Sequence, residues 1–198
     1  AELDRIVGSR QPVRVIHGLA GSGKTELGSA AARQLLAAGD AATAVFVELR
    51  GFAADRPPAD PHAAVDALVR VLGGDSYRLP RDPAERHRAY SNLLAERRAL
   101  LVLDDAAAAD QVDPLLPDDD AVAVLVTSRR VLAAELGAAD VLCDVLDDAA
   151  AVELLASAAT IADDDTDTVL ELARGVGCLP LALDVVASRL VDKPDWSL

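Results

Sequence analysis

The chain has 198 residues, 52% of them hydrophobic, which is enough to bury the core of one domain or of one domain with a small annex. Its 33 acidic residues outnumber its 19 basic residues, and the net charge of −14 argues against direct nucleic-acid binding by this segment. No apolar stretch reaches the length of about 18 residues that crosses a membrane, the N-terminus lacks the pattern of a secretory signal, and the two cysteines lack metal-ligand spacing. We therefore expect a cytoplasmic protein with two buried free thiols.

Short apolar runs alternate with segments of helical periodicity over residues 1–146. This alternation predicts an α/β domain whose parallel sheet has five strands and is flanked by helices. Each run has the length of a strand, and most are rich in Val or Leu: Val13–His17, Ala44–Leu49, Ala99–Leu103, Ala121–Thr127 and Val141–Val145.

Residues 147–198 show helical periodicity alone, so we predict a small all-helical subdomain there. Asp147 suits the N-cap of its first helix, and Asp165 or Thr166 suits that of the second. Pro180 suits the first turn of the third helix, where the missing N–H of proline costs nothing.

A glycine loop with a single lysine follows the first predicted strand. Residues 18–25 read GLAGSGKT, a full match to G-x-x-x-x-G-K-[ST], and a helix is predicted over Glu26–Leu36. Glycines let the backbone approach a phosphate closely, and the amides of the loop and of the helix N-terminus point at the anion. Lys24 supplies an ammonium group to the β- and γ-phosphates of ATP, and the hydroxyl of Thr25 ligates Mg²⁺. The expected contacts of ATP or ADP in this phosphate loop are Gly18, Ala20, Gly21, Ser22, Gly23, Lys24, Thr25 and Glu26. The alternative is a glycine turn that carries a lysine by chance.

Two carboxylates follow the third predicted strand, at Asp104 and Asp105. A parallel strand delivers its C-terminal residues to the same sheet edge as the phosphate loop. Asp104 is then able to hold Mg²⁺ through water, while Asp105 orients or deprotonates the attacking water. Without the loop, such a strand end is also consistent with a simple capped turn.

The fourth predicted strand ends in Thr127-Ser128-Arg129-Arg130. By the same edge argument, one polar residue and one guanidinium reach the phosphate end of the site. An arginine there senses the γ-phosphate, because it pairs with a charge that ADP lacks. Two arginines that solvate a helix start or pair with surface acids are an equal alternative from the residues alone.

These motifs together resemble the NB-ARC class of STAND signal-transduction ATPases. The segment GCLPLAL is the most diagnostic, since Gly-x-Leu-Pro-Leu on a helical subdomain is not a general P-loop feature. The sequence is most similar to the domains of large actinobacterial SARP-type regulators of antibiotic pathways. The matching segments occur in family order: Val15–Thr25, Val45–Phe52, Leu100–Ala106, Val124–Arg130 and Gly177–Leu183.

The resemblance implies roles for individual residues. It favours Arg129 as the γ-phosphate sensor and makes the helical subdomain similar to the family's ARC1 subdomain. It implies that the metal is held by Thr25 and Asp104, and that the adenine is covered by Pro180 and Leu181. The catalytic residues that it implies are Lys24, Asp104, Asp105 and Arg129.

The implied function is a molecular switch with slow Mg²⁺-dependent ATPase activity, in which ADP holds a closed form and ATP permits an oligomer-competent one. The implied partners are other domains of a longer parent chain, because the family's winged-helix, DNA-binding and repeat domains have no counterpart in this sequence. A small-molecule kinase is the main alternative, but it requires an arginine-bearing lid and an acceptor pocket. An inactive scaffold is a further alternative, and it requires a broken site.

Overall fold

The computed structural model describes residues 2–74, 77–159 and 166–192, which group into two units by their contacts. The first unit comprises Ala1–Gly18 and Lys24–Leu142. The second comprises Leu19–Gly23 and Cys143–Leu198. A functional boundary between residues 146 and 147 stays a prediction.

The first unit is built from alternating strands and helices, as the sequence predicts. A short 3₁₀ turn, Asp113–Leu115, follows its last helix. In chain order the helices and strands are α1 (Glu2–Val7), β1 (Val13–His17), α2 (Lys24–Ala38), β2 (Thr43–Glu48), α3 (Pro61–Gly73), α4 (Pro83–Glu96), β3 (Ala99–Ala106), α5 (Ala109–Val112), β4 (Val124–Ser128) and β5 (Ala139–Leu142).

The five strands form one sheet in the order β2-β3-β4-β1-β5, and every pairing is parallel. Each strand therefore ends at the same edge of the sheet, which is the edge that carries ligands in open α/β folds. The predicted α/β class and the predicted parallel sheet are confirmed.

Four of the five strands differ in extent from their predictions, since only β1 has its predicted bounds. Hydrogen bonding explains the limits of β4 and β5. The predicted β4 begins at Ala121, but Ala121 and Val122 donate their N–H groups to Asp119 in a turn, at 2.9 and 3.0 Å. The strand accordingly begins at Val124. The last strand was predicted over Val141–Val145 but runs from Ala139 to Leu142, where it ends because its pairing partner β1 ends at His17.

Apolar residues of both the sheet and the helices fill the core of the first unit. On α2, Gly28 faces the sheet, and a β-carbon there would lie 3.4 Å from Thr127 Cγ2. The absence of a side chain thus lets the helix that follows the phosphate loop pack closely on β4.

Within its described residues, the second unit has three helices, α6 (Asp148–Ala159), α7 (Thr166–Gly175) and α8 (Pro180–Asp192). Asp147 caps α6 as predicted, because its Oδ1 accepts the N–H of Ala150 at 2.8 Å. Pro180 is the first residue of α8, also as predicted. Of the two candidate caps for the second helix, Thr166 is the first residue of α7, and Asp165 lies outside the described residues.

A separate apolar core holds these helices, formed mainly by Ala151, Leu155, Val169, Ala173 and Leu183. Both cysteines are buried and free, as expected. Among the described helices, none is long and apolar enough to cross a membrane.

Candidate nucleotide-binding site

The predicted phosphate loop joins the end of β1 to the start of α2. Gly21 and Gly23 have φ angles of 80° and 93°, in the left-handed region that L side chains rarely adopt. A β-carbon at Gly23 would meet no atom within 4 Å. The loop backbone is therefore exposed to an incoming group at this glycine and is not packed against protein.

Ser22 carries a buried polar atom that no described group satisfies. The residue is 5% exposed, and its Oγ has no hydrogen-bond partner. Its carbonyl, by contrast, accepts a hydrogen bond from Cys143 Sγ at 3.2 Å. A buried hydroxyl without a partner is costly, and an anion in the loop would accept a hydrogen bond from it.

The remaining residues of the predicted loop lie between the end of β1 and the first turn of α2. Gly18 directly follows β1, and Ala20 is exposed. Lys24 is the first residue of α2 and is half-buried, whereas Glu26 lies exposed in the first turn. The first amides of a helix have no intrahelical acceptor, so the start of α2 offers donors to an anion.

Thr25, Asp104 and Thr127 form a continuous hydrogen-bonded network across three elements of the first unit. The Thr25 hydroxyl donates to Asp104 Oδ1 at 2.9 Å, and the Thr127 hydroxyl donates to the same oxygen at 2.6 Å. Thr127 is 2% exposed, and its hydroxyl also accepts the N–H of Asp105 at 3.0 Å. One carboxylate oxygen is thus held from the helix after the loop and from the neighbouring strand.

Asp105 lies in a bulge of β3 that changes the direction of its side chain. The pairing with β4 shifts register between Leu103 and Ala106, and Asp105 has a φ of 59°. Successive strand residues normally point to opposite faces, and a bulge re-aims one of them. The Asp105 carboxylate accepts the N–H of Phe52 at Oδ2, at 3.0 Å. The two acidic residues therefore have different partners.

Arg129 follows β4 directly and lies beside Asp105. Its Nε is 3.9 Å from Asp105 Oδ1, and its Cζ is 4.7 Å from the centroid of the Phe52 ring. The side chain is 44% exposed, so its donors remain accessible. Arg130 is engaged elsewhere: its N–H donates to Ser128 Oγ and its Nη1 to the carbonyl of Ala107.

Within the second unit, the start of α8 contacts the phosphate loop. The Leu181 N–H donates to the carbonyl of Gly21 at 3.2 Å. A β-carbon on Gly21 would lie 3.1 Å from Leu181 Cβ. Gly21 is therefore needed both for its φ angle and for this close approach, and the preceding residue, Pro180, is half-buried.

The donor set is suited to Mg²⁺, which prefers oxygen ligands and keeps several waters or phosphate oxygens. Thr25 Oγ1 and Asp104 Oδ1 are 2.9 Å apart. This hydrogen bond is compatible with a hydroxyl that ligates Mg²⁺ directly beside a carboxylate that holds the ion through water. In the part of the chain that the structure describes, no group of three or more His, Cys, Asp or Glu residues is arranged to hold a metal alone. Thr25 and Asp104 therefore fit an ion that is shared with a bound phosphate.

The sequence analysis assigned no role to two residues near the predicted site, Thr127 and Phe52. It expected one polar residue after the fourth strand without identifying it, and the hydrogen bonds now identify Thr127. Phe52 was part of a matching segment, but nothing in its sequence context indicates that it contacts both Asp105 and Arg129.

Comparison with known proteins relates the chain to bacterial regulators. No protein-family model matches it. The chain is 34% identical over 191 residues to the regulatory protein AfsR of Streptomyces coelicolor, and 32% identical over 196 residues to AfsR of Streptomyces griseus. The alignments cover 94% and 96% of this chain, but 19% and 20% of the relatives. The chain thus spans about a fifth of the length of the curated relatives that it matches.

Solved structures share the fold. A STAND protein with a tetratricopeptide repeat sensor from Pyrococcus horikoshii has a TM-score of 0.67 at 20% identity, over 94% of this chain and 28% of its own. The ADP form of the ORC2 protein of Aeropyrum pernix has a TM-score of 0.60 at 18% identity, over 98% of this chain and 60% of its own. At these identities the likenesses establish the P-loop NTPase fold alone. The chain is therefore a P-loop NTPase-fold homologue of one segment of the AfsR regulatory proteins, and its predicted resemblance to the NB-ARC class of STAND ATPases is supported.

Proposed function

We propose that this chain is an adenine-nucleotide switch, a regulatory module that binds ATP or ADP with Mg²⁺ and hydrolyses ATP slowly. Its partners are the other domains of a longer regulator of transcription, and its ATP form is competent to oligomerise. The similarity to AfsR proteins supports the regulatory role, and the NB-ARC resemblance supports the switch.

The network of Thr25, Asp104 and Thr127 is the observation that carries the proposal. It puts a hydroxyl and a carboxylate oxygen 2.9 Å apart at the start of α2, the helix that also begins with Lys24. Thr25 would ligate Mg²⁺ directly, Asp104 would hold it through water, and Lys24 would bind the β- and γ-phosphates. When bound there, the ion would neutralise part of the phosphate charge.

Asp105 and Arg129 are the residues that distinguish ATP from ADP and act in hydrolysis. Asp105 orients the attacking water or accepts its proton, since it directly follows Asp104 at the end of β3. Arg129 contacts the γ-phosphate. A ligand shifts a conformational equilibrium by its difference in affinity for the two states, and this contact is available to ATP alone.

Pro180 and Leu181 cover the adenine from the start of α8. Proline offers a rigid apolar face at the first helical position without the loss of a backbone hydrogen bond. The hydrogen bond from Leu181 to the carbonyl of Gly21 supports this role, because it ties the helix start to the phosphate loop. A preference for ADP over GDP that Pro180→Gly reduces is the expected signature.

The test is the release of phosphate from ATP by the purified chain with Mg²⁺ and no acceptor. We expect slow release that requires Mg²⁺ and is lost in Lys24→Ala. The matched control is Arg33→Ala, which removes an exposed positive charge from the same helix. Transfer to an added acceptor with no release in water would favour the kinase, and equal release by Lys24→Ala would contradict the proposed site.

A further inference from the structure

The turn that follows β2 is interlocked with the end of β3. The N–H of Leu49 donates to the carbonyl of Asp104 at 2.8 Å, and that of Gly51 donates to the carbonyl of Asp105 at 2.7 Å. A β-carbon on Gly51 would lie 2.4 Å from the backbone nitrogen of Ala107. The turn therefore lies against the two residues that carry the carboxylates, at a distance only glycine permits.

Both segments contain a non-glycine residue in the left-handed region, Arg50 with a φ of 54° and Asp105 with a φ of 59°. Such conformations cost free energy and persist where the surroundings impose them. Gln111 supplies part of this constraint: its buried side chain donates to the carbonyl of Leu49 at 2.8 Å and accepts the N–H of Ala107 at 3.0 Å. Hydrogen bonds to the backbone of β3 and from the side chain of Gln111 thus both constrain the turn.

Phe52 ends this turn and contacts both charged residues of the site. Its backbone N–H donates to Asp105 Oδ2 at 3.0 Å. Its ring lies 4.7 Å from Arg129 Cζ. We propose that Phe52 is a positioning residue, which holds Arg129 ready for the γ-phosphate and so determines the discrimination between ATP and ADP; this inference rests on the proposed function.

The chemistry of the contact explains why an aromatic ring suits this task. The ring attracts the guanidinium through its quadrupole and accepts no N–H···O hydrogen bond. The five N–H donors of arginine therefore stay available for a phosphate. A second carboxylate in place of the ring would neutralise the guanidinium and compete with the nucleotide for it. Asp105, with 3.9 Å between its Oδ1 and Arg129 Nε, is too distant for a short hydrogen bond.

Replacement of the ring by an aliphatic side chain isolates this role. Phe52→Leu keeps an apolar residue and the backbone N–H, but it removes the attraction for Arg129. We expect the affinity for a non-hydrolysable ATP analogue with Mg²⁺ to fall about two- to fivefold, the fold-change that corresponds to a partly exposed cation–π contact. The affinity for ADP should not change. The variant Phe52→Tyr keeps an aromatic ring and should therefore keep the wild-type ratio of ATP-analogue affinity to ADP affinity.

The matched control is Phe46→Leu, which removes an exposed phenylalanine from the neighbouring strand β2. A double-mutant cycle with Arg129→Ala completes the test by calorimetric titration. If Phe52 acts through Arg129, the double variant loses no more ATP affinity than Arg129→Ala alone. Equal losses for ATP and ADP in Phe52→Leu, additive losses in the cycle, or a Phe52→Tyr variant that behaves like Phe52→Leu would each overturn the inference. A wild-type chain that binds neither nucleotide overturns the proposed function itself, and this inference with it.

Discussion

The two adjacent carboxylates Asp104 and Asp105 differ in what they contact. Asp104 Oδ1 accepts hydrogen bonds from the hydroxyl groups of Thr25 and Thr127. The carboxylate of Asp105 instead accepts a hydrogen bond from the backbone N–H of Phe52. The bulge in β3 separates them, since it turns Asp105 out of the regular alternation of the strand. The different surroundings support a division of roles between metal binding and hydrolysis.

This division predicts different defects for the two amide variants. Asp105→Asn should slow single-turnover hydrolysis by about a hundredfold or more, because a base acts mainly in the transition state. It should leave ATP affinity nearly unchanged. Asp104→Asn should instead make ATP binding less dependent on Mg²⁺, which a titration with the metal measures.

The control for both variants is Asp110→Asn, which replaces an exposed aspartate on α5. We expect it to leave the rate of hydrolysis and the Mg²⁺ dependence of ATP binding at the wild-type level. Identical behaviour of Asp104→Asn and Asp105→Asn in the two assays would show that the roles are not divided.

For the residues of the candidate site, the sequence predicts which residues take part better than which contacts they make. Lys24, Thr25, Asp104 and Asp105 are predictable because the motif and the strand end specify them locally. The role of Thr127 depends on a hydrogen bond between strands that are more than twenty residues apart along the chain, and that of Phe52 on a ring contact with Arg129. Neither contact leaves a periodic or spacing signal in the sequence.

The ends of the strands were predictable where the hydrophobic pattern of the sequence determines them. Val13–His17 was predicted with the bounds that the structure has, since glycine ends the strand. The strand β3 runs past its predicted end to Ala106, because Asp104 pairs with Glu48 and Ala106 with Ser128. Backbone pairing of this kind carries polar residues into a strand, which a search for apolar runs misses.

An ion pair joins two helices of the second unit. Asp148 lies in the first turn of α6 and Arg174 in the last turn of α7, where each charge complements its helix dipole. Arg174 Nε donates to Asp148 Oδ1 at 3.2 Å, and Nη2 donates to Oδ2. The hydrogen bonds and the charge of Arg174 lower the pKa of Asp148 below its ordinary value.

This pair predicts a pH-dependent contribution to stability. Because the folded-state pKa of Asp148 is lowered, the contribution is fully present above the ordinary aspartate value of about 3.9. It is lost as the pH falls through the lower folded-state value. We expect the free energy of unfolding of wild type to exceed that of Asp148→Asn slightly at pH 7, with the difference shrinking in acid and at high salt.

Urea denaturation of both proteins across the acid range measures this difference. A difference that stayed constant from neutral pH to strong acid would contradict the assignment to the ion pair.

At the scale of the whole molecule, the chain combines an α/β unit with a helical unit that includes Leu19–Gly23 of the predicted phosphate loop. Each unit has its own apolar core. Under the proposed function, the loop residues that belong to the second unit contact the phosphates of the nucleotide. Such a contact is what a switch requires, because the ligand must contact an element whose equilibrium it changes.

The central claim is that the phosphate loop binds adenine nucleotide through Lys24, and calorimetric titration of the purified chain with ADP and Mg²⁺ tests it most directly. We predict binding by the wild type, a loss of about 2–4 kcal/mol in Lys24→Ala because a charged partner is withdrawn from an anion, and no loss in Arg33→Ala. Unchanged affinity in a folded Lys24→Ala variant, or the absence of any binding by the wild type, would contradict the account.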